Sequence, residues 1–106
     1  MNSMSYNFIA EKNGDYDWFE IERYFNNVKT QAIEVFPIIS EAESEKYLIG
    51  ISIPYYKLDR DHNFWKVFSE ILKDLNQKFG FKIYDLYNGF YINDSNLNRV
   101  KDGLYG

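Results

Sequence analysis

Alternating apolar and polar positions along the chain predict the strands of a sheet. The pattern is clearest over residues 47–54, where every second residue is Tyr or Ile. Residues 6–10 show the same period of two, and residues 31–39 are rich in β-branched side chains. Pro37 has no N–H to donate, so the 31–39 strand is expected at a sheet edge or at a bulge.

Two segments have apolar residues at helical spacing. The first covers residues 18–27. Asp17 precedes it and lies three residues before Glu20, the spacing of a capping box. The second covers residues 63–79, with a polar face opposite its apolar stripe, and Gly80 is a natural stop for it. Both segments are therefore predicted as amphipathic helices, each with one face packed on the sheet.

The C-terminal third contains a hairpin signal. Asn88-Gly89 lies between alternating apolar residues, which predicts a tight turn between strands at 82–86 and 90–92. Residues 94–101 are predicted as a short terminal helical turn that begins at Asp94-Ser95, with a frayed end beyond it.

The predicted order is β-α-β-β-α-β with one additional hairpin arm, in a single α+β domain that covers residues 1–106. This order is that of a ferredoxin-like domain, an antiparallel sheet with two helices on one face. Its second strand is an edge, which agrees with the position of Pro37.

Aromatic residues are more numerous than a core of this size needs, with ten Tyr, nine Phe and two Trp in 106 residues. Two helices cover one sheet face, so aromatic side chains on the other face need a dimer, a partner or a ligand to cover them. Alternatively, the hairpin and the terminal turn fold over that face. The residues expected at a binding surface are Tyr55, Tyr56, Tyr84 and Tyr87.

Charge and composition exclude several classes of function. Twelve basic and sixteen acidic residues leave a net charge of −4, which argues against a nucleic-acid partner. The chain has no cysteine for disulfides or thiolate metal sites, and no apolar run predicts a membrane span or signal peptide. We expect a cytoplasmic protein without a cofactor. The alternating Glu41, Glu43 and Glu45 are the best candidates for contact with a basic protein.

His62 is the only histidine and therefore the only imidazole that could act in catalysis. Asp59 and Asp61 precede it, and with Asn63 they also have the spacing of a calcium loop. Phe64 occupies the position where such a loop requires glycine, so a turn into a helix explains the segment better and no metal is expected. A ligand-binding domain or enzyme, dimeric and using His62 and tyrosines, remains the alternative function.

The segment Phe81-Lys82-Ile83-Tyr84-Asp85-Leu86-Tyr87-Asn88-Gly89-Phe90-Tyr91-Ile92 resembles a pattern found in small bacterial immunity proteins of polymorphic and contact-dependent toxin systems. In that pattern an apolar strand ends in an aromatic-Asp pair and is followed by a turn with glycine. This chain has Asp85-Leu86 where the family often has Asp-Pro. The resemblance implies an intracellular protein that binds and neutralises a cognate toxin domain, often a basic nuclease.

Together these features predict an acidic protein-binding module, most specifically an immunity protein, without catalytic residues. Rim carboxylates are expected to steer association and aromatic side chains to supply binding energy. A homodimer is also compatible with the aromatic surplus. The predicted contact residues are Glu41, Glu43, Glu45, Tyr55, Tyr56, Tyr84 and Tyr87.

Overall fold

A computed structural model describes residues 4–28, 32–38, 46–58 and 63–106 of the chain. These residues form five strands, three α-helices and one 3₁₀ turn at Tyr55–Lys57. The strands are β1 (Ser5–Asn13), β2 (Glu34–Ile38), β3 (Lys46–Pro54), β4 (Lys82–Asp85) and β5 (Phe90–Tyr91). The helices are α1 (Trp18–Asn26), α2 (Asn63–Gln77) and α3 (Leu97–Tyr105).

The five strands form one sheet in the order β2-β3-β1-β4-β5, and every neighbouring pair is antiparallel. The predicted α+β class is therefore confirmed. Strand β2 lies at an edge, as Pro37 indicated, because an edge strand tolerates a residue that cannot donate a ladder hydrogen bond.

Local signals in the sequence explain where most elements begin and end. The Asp17 carboxylate accepts a hydrogen bond from the Phe19 N–H at 2.9 Å and caps α1, as predicted. Beyond α2, Gly80 adopts a φ of +77°, and Gly89 adopts +74° in the turn between β4 and β5. Both conformations favour glycine because it lacks a Cβ atom.

Helix α2 and strand β2 are shorter than predicted. Helix α2 ends at Gln77, and turn residues follow it up to Phe79. In the described residues β2 begins only at Glu34, since Ala32 and Ile33 precede it as a bend and an irregular residue. The predicted strand ends, residues 31 and 39, lie outside the described residues.

The largest difference is at the C-terminus. The terminal element is a nine-residue helix, α3, in place of a short turn with a frayed end. Val100 and Leu104 lie one helical turn apart and are both buried, and Gly103 lets the helix approach the ring of Tyr6. Tertiary packing therefore extends this helix beyond what its own sequence signals predict.

The core lies between the sheet and all three helices. Tyr6, Phe8 and Ala10 of β1 point to this side and are buried with the isoleucines of β3. Helix α2 packs there through Phe68, whose ring centroid is 5.2 Å from that of Phe8. Helix α3 contacts Tyr6 from the same side.

Three of the described helices, and not two, thus cover one face of the sheet. The alternative in which the hairpin and the terminal turn fold over the opposite face was wrong, since the hairpin strands belong to the sheet and α3 packs beside α2. Within the described part of the chain, the second sheet face is left without a covering helix. None of the described helices has the length and apolarity needed to cross a membrane.

Candidate partner-binding surface

Three segments of the chain meet at one end of the sheet. Ser5, at the start of β1, lies opposite Pro54, at the end of β3. Strand β4 also ends here, and the N–H of Leu86, directly after it, donates to the Asn7 carbonyl at 3.2 Å. The residues that follow β3 and β4 are thereby brought side by side.

These residues form an exposed aromatic and apolar surface, which we call the tyrosine patch. Tyr56 and Tyr87 are 78% and 67% exposed, and Met4 and Leu86 are exposed as well. Tyr55 is partly buried, and its N–H donates to the Met4 carbonyl at 3.1 Å. The tyrosine patch consists of Met4, Tyr55, Tyr56, Leu86 and Tyr87.

The patch is fixed to the core through the ring of Tyr6. The ring centroid of Tyr87 lies 5.3 Å from that of Tyr6, and the centroid of Tyr55 lies 6.4 Å away in an edge-to-face arrangement. Tyr6 is itself buried and stacks on Phe8 at 4.9 Å. Aromatic pairs of this geometry hold one another in place, so the patch has a rigid base.

A buried carboxylate, Asp85, holds the turn that carries Tyr87. Its Oδ2 accepts hydrogen bonds from the Tyr6 hydroxyl at 2.5 Å and from the Asn88 side-chain amide at 2.9 Å. Its Oδ1 accepts from the backbone N–H groups of Tyr87 at 2.8 Å and Asn88 at 3.0 Å. Asp85 is fully buried, and these four bonds satisfy its two oxygens.

The phenols of Tyr6 and Tyr55 are held in the neutral form. Burial and then the hydrogen bond to Asp85 raise the pKa of Tyr6 well above its ordinary value. Burial, with smaller contributions from Tyr87 and Asp85, raises the pKa of Tyr55. The Lys57 ammonium lies 5.9 Å from the ring centroid of Tyr56 and 3.6 Å from Glu34. The patch therefore offers apolar area and neutral hydroxyls, with a paired cation at its border.

The structure brings together three of the four predicted tyrosines. Tyr55, Tyr56 and Tyr87 belong to the tyrosine patch. Tyr84 does not, because it lies on the sheet face opposite the helices, where its ring packs edge-to-face on Tyr91 at 5.0 Å. The period of two explains this separation, since Tyr84 and Asp85 point to opposite faces of the sheet.

The other predicted residues, Glu41, Glu43, Glu45 and His62, lie outside the described residues. The glutamates belong to the connection between Ile38 and Lys46. Lys46 pairs with Asn13, at the opposite end of β3 from Tyr55. Strand β3 has nine residues, and a strand of this length spans about 27 Å. The roles expected for the glutamates and for His62 stay predictions.

Sequence reasoning missed Met4 and Leu86 as exposed members of the surface, and Tyr6, Asp85 and Asn88 as its support. The sequence did contain a pattern that indicates a buried, hydrogen-bonded Asp85. The alternation that places Ile83 on the core side places Asp85 there too, and a carboxylate in that position requires donors. Asn88, three residues later, is one of them.

The described residues offer no comparably clear site for a metal ion or a small ligand. No group of three or more His, Asp or Glu side chains among them is placed to hold a metal ion. A cleft of about 560 Å³ between α1 and β2 contains one carboxylate, that of Glu22. Its described lining residues are Trp18, Glu22, Phe25, Asn26, Val28, Ile33 and Val35.

Comparison of the chain with protein-family models, with curated proteins and with solved structures gives no match. The function therefore has to be inferred from the surface that the described residues form.

Proposed function

We propose that this chain is a protein-binding module, and most specifically an immunity protein that binds and neutralises a cognate toxin domain. The observation that carries the proposal is the tyrosine patch, five large side chains, four of them exposed, on three segments that meet at one end of the sheet. Exposed apolar patches of this kind on small domains are typical of interaction sites.

The composition of the patch suits a binding hot spot. Tyrosine is enriched at such positions because it contributes a large contact area and a hydroxyl while losing few rotamers. Here Tyr55 and Tyr87 are already held by Tyr6, and the turn is held by Asp85. A partner therefore meets side chains whose ordering entropy has largely been lost on folding.

A basic partner is supported by charge. The chain carries a net charge of −4, and neutralising Glu41, Glu43 and Glu45 alone would reduce it to −1. Acidic residues accelerate association with a basic domain through long-range attraction, without direct contact in the final complex. The resemblance of residues 81–92 to immunity proteins points to the same class of partner.

We also propose that the fold is ferredoxin-like with one added strand. The β-α-β-β-α-β order of the first six elements and the antiparallel pairing of β1 with both β3 and β4 support this classification. The proposed function does not depend on it, because folds of this size host many functions.

The test is protection against a toxin encoded beside this gene. If a neighbouring gene encodes a large secreted protein, the C-terminal domain of that protein is co-expressed with the wild-type chain or with a Tyr56→Ala/Tyr87→Ala double variant. We expect the wild type to restore growth and to bind with an affinity that falls as salt rises. The double variant should lose binding by at least about 30-fold, since two hot-spot rings are removed.

Phe19→Ala is the matched control, because Phe19 is also an aromatic residue, 73% exposed, but lies on α1 away from the patch. It should protect like the wild type. If the wild-type chain neither binds nor protects against that domain, the immunity function is wrong. If the wild type protects and the double variant protects equally, the function stands and the tyrosine patch is not its site.

A further inference from the structure

One row of side chains crosses the uncovered face of the sheet from edge to edge. Phe36 of β2 lies opposite Gly50 of β3, and Gly50 lies opposite Ile9 of β1. Ile9 lies opposite Tyr84 of β4, which in turn lies opposite Tyr91 of β5. With strands about 4.8 Å apart, the row is about 19 Å long. We call it the aromatic row.

The rings of the aromatic row are held in fixed positions. The Phe36 ring lies directly over Gly50, so closely that a Cβ atom there would be 2.2 Å from it. Tyr84 and Tyr91 pack edge-to-face, and the Tyr91 hydroxyl donates to Glu11 at 2.7 Å. Phe36 and Tyr91, at the two ends of the row, are nevertheless 47% and 45% exposed. The row is thus rigid and accessible.

The charges beside the row are balanced. Glu34 lies 3.6 Å from the Lys57 ammonium. Glu11 is directly opposite Lys82 in the β1–β4 register. This face therefore has little electrostatic attraction for either a basic or an acidic partner, although the chain as a whole carries a negative net charge. A neutral and largely apolar partner surface matches it best.

We propose that a second copy of this chain covers the face, with the aromatic row of one copy packed along the aromatic row of the other. A two-fold contact needs a patch that is complementary to itself. An apolar row meets this condition. A two-fold axis that runs parallel to the row, midway between the two copies, places each residue of the row over the same residue of the other copy. The row itself contains no residue of the tyrosine patch, and the contact does not depend on the proposed toxin partner.

Charge selects this axis over the alternative. An axis along the row places Glu11 over Asn7 of the second copy, because the two residues lie two positions to either side of Ile9 on β1. An axis along β1 would instead place Glu11 over Glu11 of the second copy, and like charges in contact are unfavourable. In the selected arrangement Phe36 meets Phe36 and Tyr91 meets Tyr91.

The size of the face limits the strength of the dimer. The row and the residues on either side of it cover about 400 Å² per copy, against about 800 Å² per partner in a standard stable interface. We therefore expect a dimer that forms at high concentration, with a dissociation constant above about 10 μM.

Sedimentation equilibrium over about 10 μM to 1 mM tests the proposal. The mass of the wild type should rise from monomer towards dimer across this range. Phe36→Glu should remain monomeric, and so should Tyr91→Lys, with circular dichroism to verify folding. Phe19→Glu, an equivalent change on α1, should dimerise like the wild type. A wild type that stays monomeric throughout, or a Phe36→Glu variant that dimerises normally, overturns the proposal.

Mixing variants tests the arrangement. Since Phe36 meets Phe36, a mixture of Phe36→Glu and Phe36→Lys should associate more strongly than either alone. If Phe36→Glu associates with Tyr91→Lys instead, the axis along the row is wrong. If the wild type is monomeric and Phe36→Glu loses toxin binding, the face belongs to the toxin interface and the homodimer proposal is overturned.

Discussion

At the scale of single residues, Asp85 connects the core to the proposed binding surface. Its carboxylate accepts four hydrogen bonds, from Tyr6, from the Tyr87 N–H and twice from Asn88. A carboxylate suits this position because its two oxygens only accept hydrogen bonds, and the groups around it, from Tyr6, Tyr87 and Asn88, are all donors. The residue that organises the patch is therefore not one that a partner would touch.

Asp85→Asn should destabilise the protein. The asparagine amide presents a donor where the carboxylate presents an acceptor, so at least one buried donor among Tyr6, Tyr87 and Asn88 loses its partner. We expect the free energy of unfolding in urea to fall by about 2–3 kcal/mol. Asp102→Asn, at an exposed position, is the control and should change stability by less than about 0.5 kcal/mol. Equal effects of the two substitutions would show that the Asp85 bonds contribute little.

At the scale of elements, the contact between β2 and β3 depends on a missing side chain. Gly50 is buried in β3, and the Phe36 ring of β2 occupies the space above it. Glycine in a strand interior usually lowers stability relative to alanine. Its presence here is explained by the ring, which only a residue without Cβ can accommodate.

A double-mutant cycle tests this pairing. Gly50→Ala alone should lower the free energy of unfolding by about 1–2 kcal/mol, because the new methyl group displaces the Phe36 ring. In a Phe36→Ala background, Gly50→Ala should be neutral or stabilising by up to about 1 kcal/mol, since only the backbone effect remains. Urea unfolding of the four proteins gives the coupling energy. The same effect in both backgrounds would rule out the contact as the reason for the glycine.

The contact between helix α3 and the sheet also depends on a glycine that leaves room for an aromatic ring. Gly103 lies inside the helix, where alanine has the higher intrinsic propensity. A Cβ atom at this position would lie 2.7 Å from the Tyr6 ring. The glycine thus allows α3 to pack against the residue that also supports Tyr55 and Tyr87.

At the scale of the whole molecule, the two proposed surfaces adjoin at Leu86 but otherwise consist of different residues. The tyrosine patch lies at the end of the sheet where β1 starts, and the aromatic row crosses the middle of its uncovered face. A toxin domain and a second copy can therefore be tested independently. Variants at Tyr56 and Tyr87 address the first contact, and variants at Phe36 and Tyr91 address the second.

The response of the protein to alkaline pH is also a property of the whole fold. Burial raises the pKa of Tyr6 and Tyr24 above the ordinary value, and hydrogen bonds to Asp85 and Asp74 add to the shift. The native state therefore holds protons that the unfolded chain releases near pH 10. This stabilisation is fully present below about pH 10 and is lost as the pH rises above it.

We expect the free energy of unfolding to fall above about pH 10 by up to about 1.4 kcal/mol per pH unit for each such tyrosine. Tyr24→Phe keeps the ring contacts with Phe25 and Phe79 and removes one titrating hydroxyl, so its decline should be shallower. Urea unfolding between about pH 8 and pH 11 measures the slope. An unaltered slope in Tyr24→Phe would contradict the prediction.

The sequence by itself determined most elements and several of their ends. Three of its signals act between residues close in the chain, and each is found in the structure. They are the period of two in residues 47–54, the cap at Asp17 and the turn at Asn88-Gly89. The same alternation explains why Tyr84 and Asp85 lie on opposite faces of the sheet. Three of the predicted surface residues, Tyr55, Tyr56 and Tyr87, come together as one patch.

Only the tertiary structure decided which of these elements are neighbours. Helix α3 is long because Val100 and Leu104 find a buried site, and local propensity carries no information about that site. The aromatic row assembles one residue from each of five strands, and the patch assembles residues from three segments far apart in the chain. Which residues become neighbours in the row and in the patch depends on strand order and register, and these are set by packing over the whole sheet. The composition therefore indicated that the chain has more aromatic residues than its core needs, but not where on the surface they lie.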